Sequence, residues 1–251
     1  MANNHVIVGK GPNKVIALHG WFGSARGWGP FAQVLDEARF TYAFMDYRGY
    51  GGSKALKGSY TIAEIAADTL ALADTLGWKQ FSLIGHSMGG KAVQQVLADA
   101  PGRVQKIAAV TPVPAAEVPF DDAGWSLFSS AAKSRDARKG IISFSTGNRL
   151  SDAWLERMVK HSLENSTEEA FAAYLLAWAK GDFSARIRGN PVPILVIAGE
   201  NDGALTPEVM RGTFLQWYPN AKLEVMANAG HYPMDETPVA LATSIERFLA
   251  G

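Results

Sequence analysis

The chain contains no cysteine. That removes disulfides, thiolate nucleophiles and cysteine-based metal sites together, so any nucleophile must be an oxygen or an amine. An excess of either charge is also missing, with Lys plus Arg and Asp plus Glu at 24 each in 251 residues. A balanced chain carries no net field to draw in nucleic acid or an anionic membrane surface. No apolar run approaches the ~20 residues that span a bilayer, and Met1-Ala2-Asn3-Asn4-His5 shows no basic segment leading into an apolar one. The expectations are no nucleic-acid partner, no membrane partner and a cytoplasmic location. Repeats, low-complexity tracts and charge blocks are lacking too, so nothing suggests a linker or a disordered tail.

What is present is 47% hydrophobic and patterned. Short β-rich runs (Val15 to Leu18, Phe40 to Met45, Phe81 to Ile84, Val104 to Val110, Ile194 to Ile197, Leu223 to Met226) alternate with helical periodicity. This rhythm predicts an α/β fold with a mostly parallel central sheet flanked by helices. Thr61 and Glu64 form a capping-box pattern, and Ile62, Ile65, Ala66, Thr69, Leu70, Ala73 and Leu76 keep helical spacing up to Gly77. After Val110 roughly seventy residues pass before the next strand-like run, far beyond an ordinary connection. Ser151 opens one helical pattern there, and Ser166 with Glu169 caps another. The reading is an α-helical cap over residues 113–185, inserted into a core made of 1–112 and 186–251. Its aromatic residues, Trp154, Tyr174 and Trp178 among them, are candidates for lining an acyl or aryl pocket, although aromatics also glue a cap to its core.

Gly85-His86-Ser87-Met88-Gly89 is a Gly-x-Ser-x-Gly motif, weak alone in a chain with 25 glycines but set here between an apolar run and a helical one. Strand, sharp turn and helix together raise a serine hydroxyl beside a helix N-terminus, which makes Ser87 the candidate nucleophile. A serine hydroxyl needs a base. Of five histidines, His5 is terminal, His19 lies in an early turn as a bracing residue, His86 is inside the elbow pointing away from Ser87, and His161 is in a cap helix. Only His231 lies in a loop between a late strand and the closing helix, Pro238 to Leu249. Asp202, just beyond the strand Val192 to Ala198, is the acid that would hold the imidazole in one tautomer, with Glu200 and Asp235 as competitors. The oxyanion donors expected are the backbone amides of Met88 and, in His19-Gly20-Trp21-Phe22, of Trp21, with Phe22 in reserve and as a substrate contact.

At this point the chain resembles the α/β-hydrolase superfamily, in particular its small capped carboxylesterases. The likeness rests on His19-Gly20-Trp21, Asp46-Tyr47-Arg48-Gly49-Tyr50-Gly51-Gly52-Ser53, Gly85 to Gly90, Gly199-Glu200-Asn201-Asp202 and Gly230-His231-Tyr232-Pro233. The resemblance implies the α/β-hydrolase fold and cleavage of a small-molecule ester, apolar in its acyl or aryl part, with lactones as relatives. It implies no metal and no organic cofactor, and has Asp46 and Arg48 brace the oxyanion loop. Ser87 departs from epoxide hydrolases and dehalogenases, which carry aspartate there. His86 and Tyr232 depart from carbon–carbon bond hydrolases. Two other classes stay open: a lyase or carbon–carbon hydrolase, which would need a polar group in the cap to hold a substrate enolate, with Arg135, Arg138, Lys139, Arg149 and Arg157 as candidates, and a ligand-binding sensor with a slow triad.

Overall fold

The computed structural model describes residues 3–251. Seven strands form one sheet in the order β1-β3-β2-β4-β5-β6-β7: β1 (His5–Gly9), β2 (Asn13–Leu18), β3 (Phe40–Met45), β4 (Phe81–His86), β5 (Val104–Val110), β6 (Ile194–Gly199) and β7 (Ala221–Met226). All neighbours run parallel except β1, which pairs antiparallel with β3, Ile7 opposite Ala43. Every residue of β3, β4 and β6 is buried, as expected for parallel strands covered on both faces. The edge strands β1 and β7 stay half-exposed. β1 is a strand the sequence reading did not anticipate, because Val6-Ile7-Val8 gives only three apolar residues before Gly9 turns the chain at φ +82°.

Helix α1 (Ile62–Thr75) starts where Thr61 accepts the Glu64 amide, and the Glu64 carboxylate accepts those of Ser59 and Tyr60. α2 (Met88–Asp99) packs on α1 and against β4. Between β5 and β6 stand four helices where two were expected: α3 (Asp122–Ser130), α4 (Arg135–Ser145), α5 (Asp152–Asn165) and α6 (Glu168–Lys180). The two unforeseen ones carry ordinary caps, Asp121 and Ser134, but both are short. The cap of α6 is Thr167, which accepts the Ala170 amide; Ser166 instead donates to the Ser162 carbonyl. The chain closes through α7 (Pro207–Gly212), α8 (Phe214–Trp217), α9 (Pro233–Glu236) and α10 (Pro238–Ala250).

One lysine joins the roots of the helical insertion to α2. Lys91 is fully buried, and its ammonium donates to the carbonyls of Ala116 (2.9 Å), Trp178 (2.8 Å) and Gly181. An ammonium has three protons to give, and three carbonyls take them. Burial pushes this lysine down to about 8, against the opposing pull of Asp182 and Glu117. The two roots also bond each other, Val118 N–H to Ala179 and Phe183 N–H to Ala115.

Candidate active site

Ser87 sits where β4 ends and α2 begins, at φ +53° and ψ −117°. A serine in that region costs of order 1–3 kcal/mol and persists only when its surroundings enforce it. They do. Its amide donates to Val110, and its carbonyl accepts from Gly90 and Val113. A Cβ on Gly89 would lie 2.1 Å from the Leu18 carbonyl oxygen, so α2 can approach the end of β2 only with glycine there. From Phe81 to Leu97, Ser87 is the only residue that is not buried.

His231 Nδ1 donates to Asp202 Oδ2 at 2.7 Å, and both residues are buried. The other oxygen of Asp202 accepts the amides of Ala204 (2.9 Å) and Leu205 (3.0 Å), which pins the carboxylate. With its Nδ1 proton committed, His231 keeps Nε2 bare, the form a general base requires. Ser87 Oγ and His231 are not hydrogen-bonded here; such contacts commonly tighten only once substrate is bound.

The backbone around His231 is held from five sides. Its amide donates to the Ser145 carbonyl, at the end of α4. Its carbonyl accepts from His86 Nε2 (2.9 Å) and Thr111 Oγ1 (3.1 Å). The flanking amides of Gly230 and Tyr232 donate to the Glu236 carboxylate at 2.9 and 3.1 Å, and Arg149 of the insertion pairs with that carboxylate. His86 therefore does more than turn away from Ser87: it joins the elbow to the histidine loop. Neither His86 nor Glu236 had a sequence signal for this role: His86 reaches a carbonyl 145 positions away, and Glu236 accepts backbone amides four and six positions back across a turn.

The loop after β2 lies against the elbow, a Cβ on Gly20 falling 3.1 Å from that of Ser87. Tyr47 donates to the His19 carbonyl (2.7 Å), Tyr50 to that of Trp21 (2.9 Å), and Asp46 accepts the Ala25 amide (2.7 Å). Among the described residues, the amides of Trp21 and Met88 have no protein acceptor. Asp46 thus braces this loop. Arg48 does not: it forks onto Asp68 and pairs with Glu64, both on α1. His19 stacks on Tyr47 and gives its Nδ1 proton to the Gly20 carbonyl, but its Nε2 is buried with no partner, so it is only half satisfied. Burial lowers it to about 4.

Of the proposed pocket aromatics, Trp178 lines a cavity of about 370 Å³. Tyr174 is buried among Tyr47, Tyr50 and Tyr60, Trp154 stands edge-on to Tyr232, and Phe22 packs edge-on to Trp21 and Phe171. The Trp21 indole donates to the Phe171 carbonyl and stacks on that ring, so the loop after β2 and α6 are joined. No cap cation lines the cavity. Arg135 and Lys139 pair with Glu156, Arg149 with Glu236 and Arg157 with Asp235, while Arg138 lies over the Phe171 ring. Glu200 accepts the Asn228 amide, and Asp235 faces Arg157, so neither competitor bonds His231. Among the described residues no group of His, Asp and Glu converges as a metal site would require.

Residues 13–238 match the family model of the alpha/beta hydrolase fold. The chain is 26% identical, over 97% of its own length and 65% of the other's, to the dihydrolipoyllysine-residue acetyltransferase component of the acetoin cleaving system of Cupriavidus necator. It is 28% identical to a pimeloyl-[acyl-carrier protein] methyl ester esterase of Nitrosomonas europaea, covering 95% of this chain and 96% of that one. Among solved structures, an esterase from Exiguobacterium antarcticum superposes with a TM-score of 0.87 over 98% of this chain and 95% of that one, at 18% identity, a likeness of fold. No helix among the described residues is long and apolar enough to cross a membrane.

Proposed function

The chain belongs to the α/β-hydrolase family, and on that premise we propose that it hydrolyses carboxylic esters, lactones included, through an acyl-enzyme on Ser87. The observation that carries this reading is the 2.7 Å bond from His231 Nδ1 to Asp202, which leaves Nε2 free as a base, on a loop tied by His86 to the elbow that holds Ser87. In the first half-reaction Ser87 Oγ attacks the ester carbonyl while His231 takes its proton; His231 then gives the proton to the departing alcohol. Asp202 stabilises the transient imidazolium. The amides of Trp21 and Met88, lacking protein acceptors, would receive the negative oxygen. Water repeats the cycle on the acyl-enzyme. An acetyltransferase component and a methyl ester esterase are both relatives, so likeness alone transfers no single substrate; the ester reading rests on the constellation.

The test is labelling by a small fluorophosphonate with peptide mapping, alongside turnover of a short p-nitrophenyl ester. We expect the adduct on Ser87, multiple turnovers, and a loss of about 10³-fold or more in kcat for Ser87→Ala with unchanged folding. A variant keeping over a tenth of the activity would overturn the nucleophile. One slow turnover with retained product would instead mark a sensor.

A further inference from the structure

The cavity beside the site holds no charge, and that fact selects among esters. Apart from the Trp178 indole N–H, its lining side chains are apolar: Val113 at the first root of the insertion, Leu205 from the core, Leu127 and Phe128 from α3, Phe144 from α4 and Trp178 from α6. Val113 gives its amide to the Ser87 carbonyl and Leu205 gives its amide to Asp202, so the cavity adjoins both the elbow and the acid loop. Leu127 and Phe144 are among the few large apolar side chains exposed to solvent, 39% and 48%, so the cavity's apolar lining extends to the surface. Three charged side chains bond the backbone behind this lining without entering it: Asp202 at the amides of Ala204 and Leu205, Asp121 at that of Gly124, and Lys91 at the Trp178 carbonyl, where its three protons are already taken.

We propose that this cavity is an acyl site for uncharged chains, which turns away esters whose acyl group ends in a carboxylate. The proposal rests on the ester-hydrolase reading above. At about 370 Å³ the space suits a chain of several carbons, and each methylene that it takes from water is worth up to about 0.8 kcal/mol. A terminal carboxylate meets the opposite balance. It loses its hydration on entry and finds no cation and no hydrogen-bond donor among the lining side chains other than the Trp178 indole, whose N–H is itself enclosed. An unpaired buried charge of this kind costs enough to reduce kcat/KM by about 10³-fold or more against the methyl-terminated chain.

Three methyl esters of the same backbone test this: methyl hexanoate, dimethyl adipate and monomethyl adipate, the last carrying a carboxylate where the first has a methyl. We expect the two neutral esters to be hydrolysed and monomethyl adipate to fall behind by about 10³-fold in kcat/KM. Leu127→Arg, at the rim, should raise the ratio of monomethyl adipate to methyl hexanoate at least tenfold by supplying the missing partner. Equal rates on all three esters would overturn the proposal while leaving the ester reading intact. Binding to Ser87→Ala by calorimetry keeps the inference testable without turnover. There 2-heptanone should bind and 6-oxoheptanoate should not, whereas equal binding would refute the neutral acyl site. If 2-heptanone binds selectively but no ester is turned over, the cavity inference stands and the ester reading fails.

Discussion

Two imidazoles next to the reacting groups are kept neutral by the fold. His19 is lowered to about 4, chiefly by burial and despite Asp46, and burial likewise holds His86 well below the ordinary range, with His231 opposing its charge. Each proton already has a fixed acceptor, Gly20 for His19 and His231 for His86, so a second proton would enter a buried ring without a partner. The sign follows. The unfolded chain binds more protons than the native one between about pH 6.5 and 4, so this stability is full above 6.5 and drains as pH falls through that window. For His19 alone the change amounts to ~3 kcal/mol. Urea unfolding at pH 7 and 4.5 should show the loss, and His19→Gln should flatten it; an unchanged slope would place the titration elsewhere. At the same scale, Asp202→Asn should reduce kcat by orders of magnitude because it disturbs the His231 tautomer, while Glu200→Gln and Asp235→Asn should leave kcat within a few-fold. Strong loss in Asp235→Asn alone would shift the acid role to Asp235. The pairing of His231 with Asp202, and the place of Ser87 between β4 and α2, could be read from residue type and chain order. Glu236 was not, because a carboxylate that accepts two amides across a turn leaves no spacing to read.

At the scale of elements, the strands buried on both faces and the helix begun by Thr61 were plain in the pattern, whereas β1, α3 and α4 were not. β1 is an edge strand of five residues whose identity depends on pairing with β3, from Gly9 opposite Thr41 to His5 opposite Met45, 32 to 40 positions away. α3 and α4 are 9 and 11 residues long, too short for periodicity to outweigh their polar content. Lys91 was invisible for a different reason, since a lysine in a helix normally reads as a solvated residue. Its three bonds make a prediction. Lys91→Met leaves the carbonyls of Ala116, Trp178 and Gly181 without their donor, each lost bond costing about 1–3 kcal/mol where water cannot reach. Hydrogen exchange should then accelerate at the amides of Val118 and Phe183, which join the two roots, more than in β4 or β5. Unaltered protection there would show that the roots hold without the lysine.

As a whole molecule, the protein has its helical insertion fastened at several separate places, among them the roots, by Lys91, the loop after β2, by Phe171, and the histidine loop, by Ser145 and Arg149. The amide of the candidate base is satisfied by the insertion, so the two parts should melt together. Calorimetry should show one transition with equal calorimetric and van't Hoff enthalpies; two resolved transitions would mean that the insertion folds apart from the sheet. The same fastening predicts that Arg149→Met lowers kcat more than it alters KM, because it loosens Glu236 beneath Gly230 and Tyr232 without touching the cavity. The Lys91 anchor has one more consequence. It grips carbonyl oxygens, which every amino acid supplies, and asks nothing of the side chains at 116, 178 or 181 beyond a chain that passes at the right height. As far as this anchor is concerned, the stretch between the roots could drift in sequence, or be replaced by a graft from another protein, and α2 would still hold it; what limits such drift is the side chains that meet the core elsewhere, Arg149 and Phe171 among them.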